Sequence, residues 1–93
     1  MYRHMILFNS KDKDAVDKCC RDLIAHQDEI AGLLHAEYIE NASPYGNGYD
    51  QLGVMDFVDQ TAFDEWTKHP LHQSIREKLA EHTTRFSFDY LIP

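Results

Sequence analysis

The sequence predicts a single α+β domain whose elements run in the order β-α-β-β-α-β. Two segments repeat apolar residues at helical spacing. Four shorter ones are rich in β-branched and aromatic residues, and stretches bearing Gly or Pro separate them. The 93 residues make one domain, 1–93, that buries roughly 60–65% of the surface its unfolded chain exposes.

Residues 2–9 (YRHMILFN) read as a strand. Tyr2, His4, Ile6 and Phe8 share one face; Arg3, Met5, Leu7 and Asn9 share the other. Both faces carry apolar groups, so both are expected to be covered. Residues 12–31 read as an amphipathic helix. Val16, Cys19, Cys20, Leu23, Ile24 and Ile30 keep the i, i+3, i+4 spacing, with Ser10 or Asp12 as cap and Gly32 as stop. Residues 33–41 form a second, more polar strand, and 42–48 (ASPYGNG) a turn-rich loop.

Residues 49–58 form the third strand, where Gly53 suggests a bulge or a close approach of backbone. Residues 60–68 are helical, with Thr61 and Asp64 resembling a capping box. Pro70 breaks that helix and suits the first position of the next, whose apolar residues Leu71, Ile75 and Leu79 recur every four positions. Residues 84–92 form the last strand, with Phe86, Phe88 and Tyr90 on one face.

This order is the split βαβ, ferredoxin-like arrangement, with helices on one face of a four-stranded antiparallel sheet. The other face is expected to show Met5, Leu7, Leu52, Val54 and Leu91. An apolar patch of that kind calls for cover. Face-to-face pairing of two copies supplies it and closes on itself. The expected partner is therefore a second copy of the chain, and the expected architecture a homodimeric α/β barrel.

Sixteen acidic residues against nine Lys and Arg give a net charge of −7. This argues against nucleic acid, whose binding rests on phosphate neutralisation, and against anionic membranes. No apolar run approaches a membrane span. Met1 leads straight into a strand without a signal-peptide pattern, so a cytoplasmic location is expected. Adjacent Cys19 and Cys20 point about 100° apart on a helix and read as packing thiols.

RHMILF at the start, GYDQLGVMDFVD, HPLHQ and the closing FSFDYLIP together resemble the stress-responsive α/β-barrel family, often called Dabb. The resemblance runs the length of the chain, and His69-Pro70-Leu71-His72 is its most recognisable element. It implies a ferredoxin-like protomer and a dimer, but no single activity. Relatives range from stress-induced proteins to plant polyketide cyclases and, more distantly, small cofactor-free monooxygenases and isomerases.

In the plant cyclases the second histidine of HP-x-H is the catalytic base, matched here by His72, and the strand-one histidine is matched by His4. Their tyrosine partner is matched by Trp66 and their third-strand histidine by Gln51. Indole only donates N–H, so these two departures argue against that cyclisation itself.

The residues themselves give a consistent reading. His72 lies in the first turn of a helix, where the positive end disfavours imidazolium; a neutral ring is what a base needs. His4 faces the helices, and Gln51, Gly53 and Met55 share one face of the third strand, the glycine leaving room for a ligand. Trp66 lies with Phe63 on the inward spacing of its helix, as core or as ligand platform. The chemistry this set suits is proton abstraction by His72 next to a carbonyl, with His4 and Gln51 holding the developing oxygen. No metal is expected: His69 and His72 are spaced i, i+3, but Pro70 interrupts the helix and no third ligand follows. No cofactor is expected either. The expected ligand is a small apolar or aromatic molecule between sheet and helices. The alternatives are that His72 caps or packs and His4 bonds a helix, in a non-enzymatic protein whose role rests on a stable dimer.

Overall fold

In the computed structural model, which describes residues 1–93, Tyr2–Ser10 form strand β1, Lys13–Ala25 helix α1, Leu33–Glu40 strand β2 and Gln51–Phe57 strand β3. Gln60–Thr67 form helix α2, Pro70–His82 helix α3 and Thr83–Leu91 strand β4. The sheet is antiparallel with order β2-β3-β1-β4, so the first and third strands lie at its centre. This is the ferredoxin-like fold expected from the element order.

The caps explain the helix starts. Asp12 accepts from the Ala15 amide, and Asp59 from the Ala62 amide at 2.9 Å, so Asp59 rather than Thr61 opens α2. His69 caps α3: its Nδ1 accepts from the Leu71 amide. Helix α1 stops at Ala25, short of Gly32, and a single 3-10 turn over Gln27–Glu29 follows. Asp28 and Glu29 sit there, at the negative end of a helix that carries no basic residue in its last turn, which opposes continuation. Gly32 adopts φ +77°, and a Cβ on it would stand 2.5 Å from that of Ala62, so the turn into β2 and its contact with α2 both require glycine.

Pairing is regular through Gly53; the irregularity lies between Leu33 and His35 on β2, which corrects the bulge expected at Gly53. A Cβ on Gly53 would reach 3.4 Å from the Phe8 ring, so its small size serves the packing of Phe8.

Phe57 and Val16 are wholly buried. The core has two clusters, one of Ile30, Ala36, Met55, Phe57 and Trp66, the other of Phe8, Val16, Cys20 and Leu79. Burying a side chain such as Phe57 contributes about 1.5–3 kcal/mol.

The register also corrects the faces of the last strand. Phe86, Phe88 and Tyr90 pair with Leu7, Met5 and Arg3, so they lie on the face away from the helices, and Leu91, paired with Tyr2, lies in the helix-side row. Phe88 is 61% exposed and Phe86 47%. The open face is thus more aromatic than expected. On it Arg3 clamps Asp56 through two bonds of 2.8 and 2.9 Å and donates to the Tyr90 hydroxyl. The Arg3 guanidinium holds the Asp56 carboxyl below the usual carboxylate range, against an opposing push from burial. No helix is long and apolar enough to cross a membrane.

Candidate functional site

The space between sheet and helices is not filled. A cavity of about 700 Å³ opens there, its walls drawn from both core clusters and including Ile6, Phe8, Met55, Phe63 and Trp66. Such a volume suits a small organic ligand. His4, Gly53, Met55, Trp66 and His72 all contribute to its wall. Gln51 does not. It pairs with Phe8, whereas His4 pairs with Met55. Four positions along a strand separate the two by roughly 13 Å. Gln51 is 3% exposed, with its side-chain oxygen buried and unpartnered away from this wall.

The partner of His4 is Asp89. On the β1–β4 ladder the two occupy one rung, with His4 Nδ1 2.6 Å from Asp89 Oδ1. The Tyr2 hydroxyl donates to Asp89 Oδ2 at 2.7 Å. A carboxylate only accepts, so Nδ1 carries the proton of this bond and Nε2 is left for other partners. Burial, then the Asp89 carboxylate, pushes the Tyr2 phenol up to about 12. Phe63 closes over both rings, stacked on Tyr2 at 4.7 Å and tilted against His4 at 4.8 Å. His4 is 8% exposed.

His72 stands on the first turn of α3, edge-on to Trp66 at 5.3 Å between ring centroids. Its Nδ1 is buried and has no hydrogen-bond partner. Burial holds the ring below the usual imidazole range; the Arg76 guanidinium and, more weakly, His4 push the same way, against the backbone of Thr67. The balance favours the neutral ring. His69 spends its Nδ1 on capping α3. No three or more His, Cys, Asp or Glu side chains gather as a metal site would need.

Asp89, the partner of His4 and Tyr2, is the residue of this site that pattern reasoning missed. The signal was present: Ser87 and Asp89 form a polar row alternating with the aromatic row of β4, and a carboxylate in mid-strand needs a partner. Tyr38 and Arg85 also reach the wall without having been singled out.

A family description of a stress-responsive A/B barrel domain, Dabb, matches residues 2–92. No curated protein matches. Among solved structures, a dimeric ferredoxin-like protein of unknown function from Jannaschia is 18% identical, with 98% of each chain covered and a TM-score of 0.88. A Dabb-family protein from Mesorhizobium loti is 24% identical, covering 99% of this chain and 96% of that one, with a TM-score of 0.82. A hydroxynitrile lyase from Passiflora edulis is 13% identical, covering 99% and 93%, with a TM-score of 0.87. At these identities the solved structures establish the shared fold.

Proposed function

The chain belongs to the stress-responsive A/B barrel domain family, and from that premise we propose that it binds a small, largely apolar or aromatic molecule between sheet and helices and moves a proton on it without a cofactor. The observation that carries this reading is the pairing of two unlike imidazoles in one apolar cavity. His72 is held toward its neutral form by burial, with a buried Nδ1 that no protein group satisfies. His4 is oriented from behind by Asp89 and Tyr2. Leaving a buried nitrogen unpaired costs about 1–3 kcal/mol, a cost that folds accept where a ligand is to be met.

In this reading His72 accepts a proton from the carbon next to a carbonyl. For the step to balance the His4 ring carries a proton on each nitrogen: as negative charge grows on the carbonyl oxygen, Nε2–H donates to it, while Nδ1–H stays on the Asp89 carboxylate, which offsets the charge of the ring. Met55, Phe63 and Trp66 keep water from the reacting carbon. Asp89 takes the supporting place that the sequence assigned to Gln51. Dimerisation through the Phe86, Phe88 and Tyr90 face completes the assembly, supported by the dimeric description of the Jannaschia relative.

The test is exchange of carbon-bound hydrogen in D₂O, followed by proton NMR on a panel of aryl alkyl ketones and phenols. Wild-type protein is expected to accelerate exchange next to the carbonyl of at least one member, and His72→Ala to lose that acceleration. Absence of acceleration across the panel, or its survival in His72→Ala, overturns the proton-transfer reading.

A further inference from the structure

We propose that the ligand of the cavity is an apolar acid, a hydrocarbon or aromatic body ending in a carboxylate that Arg76 and Arg85 hold. The inference rests on the reading of the cavity as a ligand site and names the class of molecule it takes.

The charge pattern is the first ground. The chain has sixteen acidic residues for nine Lys and Arg, so most cations find a carboxylate. Arg3, Lys13, Lys18, Arg21 and Lys68 each stand within ion-pairing distance of one. Lys11, Lys78, Arg76 and Arg85 have no such partner, and of these four the two arginines belong to the wall of the cavity. In a strongly acidic protein, two unpaired guanidinium groups at one apolar cavity are a local reversal of sign.

The register supplies the second ground. Arg85 pairs with Phe8, so it lies in the helix-side row of β4, half-buried. Arg76 follows His72 by four residues on α3, which places the two on one face of the helix, a turn apart. The carboxylates near the cavity are already engaged. Both oxygens of Asp89 are taken by Tyr2 and His4. Glu37 pairs with Val54 on the opposite face of the sheet and lies 3.5 Å from His35. No carboxylate of the protein stands within ion-pairing distance of either arginine.

Guanidinium recognises carboxylate through two parallel N–H donors. A carboxylate on Arg76 would set the adjoining carbons of the ligand beside His72, the group assigned to proton abstraction. Its negative charge would also offset the guanidinium that disfavours a proton on His72. Anchoring the acid and readying the base are thereby linked through one side chain.

The test is calorimetric titration with a series of ω-phenylalkanoates and their primary amides, which match in shape and differ in charge. Wild-type protein is expected to bind at least one acid about tenfold or more tightly than its amide. Arg76→Met and Arg85→Met are each expected to weaken the acid and leave the amide within about twofold; amide binding reports that the cavity is folded. The double variant loses the preference. Equal affinity for acid and amide, or a preference that survives the double variant, overturns the proposal while leaving the cavity a ligand site. Binding of neither acid nor amide by wild-type protein overturns the cavity reading and this proposal together.

Discussion

His4 and Asp89 face each other across the β1–β4 ladder, with an imidazole nitrogen 2.6 Å from a carboxylate oxygen. The contact joins strands at the two ends of the chain and fixes which nitrogen of His4 remains free. Asp89→Ala leaves the Tyr2 hydroxyl and His4 Nδ1 without their partner. The expected cost is about 1–2 kcal/mol in urea unfolding, since the site is partly exposed and water replaces some of the loss. The same variant should bring the Tyr2 phenol part of the way down from about 12 in an ultraviolet pH titration, burial sustaining the rest. An unmoved phenol would mean that the Tyr2–Asp89 bond is not kept in solution.

His72→Ala should behave in the opposite sense. It removes a buried nitrogen that has no partner, so the melting temperature is expected to hold or rise while ligand binding is lost. Calorimetric unfolding checks this. A fall worth more than about 2 kcal/mol would place His72 among the structural groups instead.

The pH dependence follows from the same ring. A histidine held below its usual range binds fewer protons in the folded chain than in the unfolded one, so stability rises with pH. The contribution of His72 is complete above about 6.5, the ordinary imidazole value. It declines as pH falls from there through the folded ring's own titration. Urea midpoints measured from about pH 5 to 8 should therefore drop more steeply on the acid side for wild-type protein than for His72→Gln. Parallel curves would contradict the neutral, desolvated ring.

On the far face of the sheet, Phe88 is the most exposed of the three β4 aromatic side chains there. Phe88→Glu sets a charge in the middle of the apolar face and is expected to turn the dimer into a monomer by light scattering, at wild-type helix content. A variant that stays dimeric would locate the interface elsewhere.

Much of this was legible in the chain. Pro70 marks the start of α3 by local sterics and the four-residue recurrence of Leu71, Ile75 and Leu79 marks its inward face, and local signals need no knowledge of partners. The parity of β1 was legible too, so His4 was placed on the helix side. The faces of β4 were not. The row of Phe86, Phe88 and Tyr90 announces a covered surface, but apolarity does not say whether helices or a second copy provide the cover. Assigning that row to the helices hid Asp89, which belongs to the other row. Gln51 failed for a different reason: its face was right, but its height along the strand depends on register, which long-range pairing decides.

The most direct test of the central claim is a thermal-shift titration of wild-type protein and His72→Ala against phenols, short lactones, aryl alkyl ketones and ω-phenylalkanoates, with flavins, haem and divalent metals as controls. The account predicts saturable stabilisation by one organic class, absent in His72→Ala although that variant melts at or above the wild-type temperature. A flat response across the panel from a dimer with a high melting temperature would contradict it and leave the fold as a structural one.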